Sequence, residues 1–178
     1  MKATKLLKSQ HRDAEKIFGE LEKGRAANAP ERVQKLVEAL SAHMVIEQEI
    51  FYPAVKALKP DLVLEGFEEH AAAQTGMERL LLTDAADESF AARVTTLKEM
   101  ISHHVEEEEE TLFPAVEREM EASELNELGD QMKARFDELI GTEELREVLD
   151  RAEEIQPMPV EFVGAEQERL ESRTPRQF

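Results

Sequence analysis

Apolar residues recur along the first 120 positions at i, i+3, i+4 and i+7, the period of helices with one buried face. Four stretches carry the pattern. Helix A spans about Thr4 to Lys23 with Gly24 as its C-cap, and its stripe is Leu7, His11, Ala14, Phe18 and Leu21. Helix B starts near Pro30, a residue suited to a first helical turn, and continues to about Leu58. Its stripe is Leu36, Leu40, His43, Glu47, Phe51, Ala54 and Leu58. Helix C follows Pro60, takes Asp61 as N-cap and reaches about Leu82, with Val63, Phe67, His70, Gln74, Met77 and Leu81 on one side. Helix D begins at about Asp87 or Ser89 and ends near Met120, presenting Val94, Leu97, Ile101, His104, Glu108, Leu112 and Ala115. Short linkers make sequential helices antiparallel, so the expected fold is all-α, an up-down-up-down four-helix bundle.

Past Met120, Leu125, Leu128, Met132, Phe136 and Leu139 keep helical spacing and predict a further helix from Ser123 to Ile140. A shorter one is expected from Thr142 to about Glu154, opened by the capping-box sequence TEEL. The chain thus divides into a bundle, residues 1–120, and a helical extension with a turn-rich tail, residues 121–178, that packs on the bundle or on a second subunit.

What the four stripes contain changes the picture. Each carries a histidine on its apolar side, and helices B and D each add a glutamate. Buried carboxylates without partners are costly and normally neutralise by shifting their pKa. Six such groups near the middle of four facing helices call for a bound metal centre that supplies charge and coordination. The chain repeats the arrangement: 61 residues separate His43 from His104, Glu47 from Glu108 and Pro53 from Pro114, and 59 separate His11 from His70. Each H-x-x-x-E pair spans about one helical turn, so both side chains project to one side. A duplicated hairpin implies pseudo-twofold symmetry and two ions, one on His11 and His43, the other on His70 and His104, bridged by Glu47 and Glu108. The prolines are expected to kink or loosen helices B and D just after the glutamates.

Charge and composition narrow the partners. Forty acidic residues against 22 basic ones give a net charge of −18, which repels nucleic acid phosphates and anionic lipid. With no cysteine, thiolate metal sites, iron–sulfur clusters and disulfides are excluded. No apolar run has the length of a signal peptide or a membrane span, and a cytoplasmic protein, monomer or homodimer, is expected.

On H11, H43-x-x-x-E47, H70 and H104-x-x-x-E108, with FYP and LFP following the two glutamates, residues 4–120 resemble the hemerythrin-like, or HHE cation-binding, family. The resemblance implies a non-haem di-iron centre in a four-helix bundle, reacting with O2, peroxide or nitric oxide. Manganese and zinc also suit histidine and carboxylate ligands. Two departures set the chain apart from the oxygen carriers. Gln74 stands where they have a second histidine on the third helix, and the fourth helix has H-x-x-x-E in place of a histidine followed five residues on by aspartate. The pattern is closer to the iron-centre repair and the iron- or oxygen-sensing members, which disfavours reversible O2 carriage. A ferritin-like site is excluded, because no glutamate lies three residues before any histidine.

Four neighbours remain to be placed. His103 lies beside His104 and becomes the ligand if helix D slips by one residue; otherwise it is an outer or surface group. Within Glu106 to Glu110 only Glu108 fits the stripe, and Glu107 is one turn from both histidines. Gln74 could be a weak ligand or hydrogen-bond to bound water. Tyr52, the sole tyrosine, could serve the site with an electron or a hydrogen bond, or simply pack near the end of helix B. As a binding protein the chain would sense or buffer iron, O2 or nitric oxide; as an enzyme it would turn over peroxide or deliver iron. A purely structural acidic bundle would hold no metal.

Overall fold

The computed structural model describes residues 1–23 and 28–142, and every regular element among them is helical. Helix α1 runs over Ala3–Lys23, α2 over Ala29–Ile46, α3 over Tyr52–Val55 and α4 over Pro60–Leu81. Further along the chain come α5, Phe90–Glu107, α6, Phe113–Glu119, and α7, Ala122–Leu139. Gly24 as a C-cap, the second C-terminal helix after Thr142 and the tail fall outside the described residues. No described helix is long and apolar enough to cross a membrane.

The long helices close a ring in which α1 packs on α2 and α5, and α4 on α2 and α5. Side-chain pairs give the directions. Gln10 meets His43 while Glu20 meets Arg32, so α1 and α2 run antiparallel. Arg12 meets Glu109 while Glu22 meets Lys98, so α1 also opposes α5 and its continuation. Glu69 meets His104 while Arg79 meets Arg93, which sets α4 against α5. This is the expected up-down-up-down bundle.

Helix α7 adds a layer against α1 and α2. Glu121 and Glu124 form a reciprocal capping box at its start, where the sequence pattern predicts Ser123 as the first residue. Gly129 permits the close approach: a Cβ there would collide with the Met1 carbonyl oxygen and lie 2.7 Å from the Ala3 nitrogen. The Met1 ammonium is anchored beside it, 2.9 Å from Asp130 Oδ1.

One boundary differs from expectation, and at another the structure takes the second of two expected starts. Pro60 itself opens α4, with Lys59 at the cap position and Asp61 in the first turn, because a proline at the first helical position loses no internal hydrogen bond. Ser89 is the residue preceding α5, and Asp87 accepts from its backbone N–H and its hydroxyl in the turn before.

The larger correction concerns helices B and D, each of which contains a π-helical turn, Glu47–Phe51 and Glu108–Leu112. Tyr52 N–H donates to the Glu47 carbonyl and Phe113 N–H to the Glu108 carbonyl, five residues back. Pro53 and Pro114 come immediately after. Proline cannot donate, and its ring clashes with the carbonyl four residues earlier. The wider turn relieves that clash by inserting one residue. It also rotates the next turn of helix: Val55 is buried where the unbroken pattern predicts Ala54, and Ala54 is exposed.

Candidate metal centre

All six predicted residues meet in the centre of the bundle and are almost fully buried, with Glu47 at 0% exposure and the others at 3–5%. His11, His43, Glu47 and Glu108 offer ligand atoms within 4.8 Å of one another, and so do Glu47, His70 and His104. Glu47 belongs to both groups. Glu108 is 3.4 Å from His11 Nε2 and 3.8 Å from His104 Nε2, so it too lies between the histidine pairs. Each glutamate is the first residue of its π-turn.

Every histidine turns Nε2 inward and is held from outside through Nδ1. Glu109 lies 2.9 Å from Nδ1 of His11, Gln10 2.8 Å from that of His43, Gln48 3.0 Å from that of His70 and Glu69 2.7 Å from that of His104. Outer partners of this kind fix the ring and its tautomer in metal sites. Helical periodicity points to none of them, yet each is adjacent to a predicted ligand: Gln10 and Glu69 precede His11 and His70, and Gln48 and Glu109 come after Glu47 and Glu108. The π-turn explains Glu109, since the extra residue lets two consecutive glutamates reach the core side.

The remaining polar atoms test whether a cation fits. Among the described residues His11 Nε2, both carboxylate oxygens of Glu47 and Glu108 Oε2 are buried with no hydrogen-bond partner. Glu47 Oε2 is 3.1 Å from His43 Nε2 and 3.3 Å from His70 Nε2, without the alignment of a hydrogen bond. Native interiors rarely leave such acceptors orphaned. Orphaned carboxylate oxygens facing histidine nitrogens are the donor set of a divalent or trivalent metal, and the fit is good.

Without a metal the carboxylates favour the protonated form of His104 and His11. Burial opposes the charge on His104, but the hydrogen bond to Glu69 and the charge of Glu108 outweigh it and raise its pKa to about 9. Burial likewise opposes the charge on His11, which Glu108 raises on balance. His43 is lowered by its burial, against the pull of Glu47. For Glu47 burial favours the neutral acid, but His43 and His70 overcome it and hold its pKa well below the usual range. Glu69 is lowered by its bond to His104.

Tyr52 belongs to the centre. Its hydroxyl donates to Glu108 Oε1 at 3.1 Å and lies 3.3 Å from His70 Nε2, and its ring stacks on that of His70. Burial, with the charges of Glu47 and Glu108, keeps the phenol protonated by raising its pKa. Gly66 makes the room: a Cβ there would lie 2.7 Å from the hydroxyl oxygen.

Gln74 and His103 stay outside. Gln74 is exposed, because the buried face of α4 runs His70, Ala73, Met77, Leu80 rather than through Gln74 and Leu81. His103 is also exposed and sits 3.8 Å from Glu69 and 3.7 Å from Glu107, an outer group on the surface side of His104. Glu106 and Glu110 are exposed.

Residues 2–116 match the hemerythrin HHE cation-binding domain. The chain belongs to that family. A crystal structure of a hemerythrin HHE cation-binding domain-containing protein from Mycobacterium kansasii superposes with a TM-score of 0.75 at 24% identity, covering 85% of this chain and 99% of that one, and shows the shared fold. A DNA nickase from Nostoc sp. is 24% identical over 134 residues, 72% of this chain. The matched chain spans only 37% of that relative's length.

Proposed function

We propose that this HHE protein holds two non-haem iron ions and responds to O2, peroxide or nitric oxide. His11 and His43 would hold one ion and His70 and His104 the other, with Glu47 and Glu108 shared between them. The observation that supports the reading is the pair of orphaned buried carboxylates facing histidine Nε2 atoms. Two nitrogens and two shared oxygens per ion leave positions open to a small exogenous ligand. The bound metal would supply Lewis acidity and one-electron redox steps. The chain supplies the rest: Nδ1 partners orient each ring, the aromatic side chains Tyr52 and Phe113 exclude water, and the Tyr52 hydroxyl holds a proton against Glu108. The nickase activity of the Nostoc relative is not carried over, since a chain of net charge −18 repels a DNA backbone.

The test is a visible spectrum of iron-loaded protein, reduced anaerobically and then exposed in turn to O2, peroxide and nitric oxide. Rapid, irreversible conversion to an oxo-bridged ferric spectrum supports sensing or peroxide handling, and catalytic peroxide loss scaling with iron content makes it an enzyme. An oxygenated band removed by vacuum would instead make it a carrier. A chain that takes up no iron under anaerobic reconstitution would end the reading.

A further inference from the structure

The two ends of the bundle core differ in how they meet the histidines. Toward α3 and α6 the space is filled by Phe51, Tyr52, Leu112 and Phe113, each at most 2% exposed. On the other side a cavity of about 370 Å3 opens between α1, α2 and α5. His11, His43, His70 and His104 all line its inner end, and its walls are Ala14, Ile17, Leu40, Met44, Ile101 and Val105. Asp13 and Glu20 stand at the mouth with Lys16 and Lys35, so the rim carries balanced charge.

That space is far larger than a diatomic or hydrogen peroxide needs, since one water takes about 30 Å3 in the liquid. A dry apolar cavity of about 150 Å3 accommodates benzene, and small-molecule pockets begin at roughly 300 Å3. Aliphatic walls favour an apolar body. The balanced rim and the net charge of −18 disfavour an anionic head. Among the described residues the polar groups at the inner end are the histidines and Gln10, whose amide is bonded to His43 Nδ1, and an oxygen-bearing head would lie there.

We propose that this cavity binds a neutral organic molecule of roughly ten to fifteen heavy atoms, the upper figure scaled from the benzene cavity, with an alkyl or aryl body and an alcohol or hydroperoxide head at the histidines. The placement of the head rests on the metal reading above, while the seating of the body does not. This would make the centre accessible to organic peroxides as well as to diatomic ligands.

The probe is 2-phenyl-2-propanol, an unreactive alcohol of the right size, titrated calorimetrically into the full chain with and without iron. The expected result is one saturable site in both forms, with a negative heat-capacity change from apolar burial. Ile17→Phe and Ala39→Phe fill the cavity and are expected to weaken binding at least tenfold with iron content unchanged. Ala39 is half-buried at the mouth and accepts the larger side chain if Ile17→Phe does not fold. No saturable binding to the wild-type chain, or unchanged affinity in the folded filling variants, would overturn the proposal. Iron uptake without alcohol binding removes the cavity assignment alone. Alcohol binding without iron uptake upholds the cavity and removes the metal reading.

Discussion

Phe113 lies over His11 with ring centroids 6.0 Å apart and planes 10° from parallel; Tyr52, its counterpart 61 residues earlier, lies over His70 at 5.5 Å and 26°. The first half of the chain, α1 to α3, and the second, α4 to α6, thus cover one histidine each with one aromatic ring. Only one of the rings carries a hydroxyl. Gly66 leaves space for it, whereas Leu7, a buried residue of the same apolar cluster as Phe113, stands at the matching position 59 residues earlier. Outside the histidines the halves have also diverged. Gln10 stands opposite Glu69 in the repeat and Gln48 opposite Glu109, so each histidine pair has one amide and one carboxylate partner. Arg12 grips Glu109 at 2.6 and 2.7 Å, and Ala71 stands at the matching position beside Glu69. Duplication has kept the inward-facing atoms alike, and drift has acted on their supports. If the centre holds two ions as proposed, their like ligands and unequal surroundings are expected to make them differ in affinity and reactivity.

The bluntest way to break the comparison is through the glutamates. Glu47 Oε2 lies within 3.3 Å of a histidine from each pair, whereas Glu108 is 3.4 Å from His11 and 3.8 Å from His104, so Glu47→Gln is expected to weaken both ions and Glu108→Gln chiefly the one on His11 and His43. Metal analysis of the two purified variants distinguishes these outcomes. Equal loss in both would restore full symmetry to the bridge.

Next in size are the outer carboxylates. Glu69→Gln should weaken the ion beside His104 by roughly 10–100-fold, the usual scale for such supports, measured by competition with a chelator. It also carries a pH signature. In the metal-free chain His104 has its pKa raised to about 9, by Glu69 above all once burial is outweighed. The stability this proton contributes is fully present below the unfolded value of about 6.5 and is lost as pH rises through about 9. Metal must displace that proton, so affinity should climb across the same window. Glu69→Gln is expected to flatten both the melting temperature of the metal-free chain and the metal affinity between these limits. Persistence of the full slope would assign the proton to another group.

Smaller effects test the packing of Tyr52. Gly66→Ala places a methyl 2.7 Å from the hydroxyl and should cost about 1–3 kcal/mol in denaturant unfolding, as overpacked cores do. Combining it with Tyr52→Phe should recover part of the loss, because the clashing oxygen is gone. Tyr52→Phe alone makes the halves more alike. It should cost about 1 kcal/mol through the lost bond to Glu108 and leave the ion count unchanged.

Much of this architecture was legible in the sequence because apolar period and polar exceptions coincide. The i, i+3, i+4 stripes located four helices, and His11, His43, Glu47, His70, His104 and Glu108 stood out as costly residues on them. What stayed hidden depends on departures from a regular helix. The prolines at 53 and 114 signalled a disturbance but not that it would be a π-turn, so Ala54 was placed inside and Val55 was missed. On α4 a choice between i+3 and i+4 put Gln74 on the core side, where Ala73 lies instead. Gln10, Gln48, Glu69 and Glu109 lie off the apolar stripes, because a side chain reaching past its own helix to a ring on the next has no periodic signal. Their adjacency to the ligands, repeated at the spacing of the duplication, was the available sign.

The most direct measurement is iron content per chain after anaerobic reconstitution, compared among the wild-type protein, His43→Ala and His104→Ala. The account predicts two irons in the wild type and the loss of at least one in each variant, from the His11 position in the first and the His70 position in the second. Iron stoichiometry that survives both substitutions would contradict it.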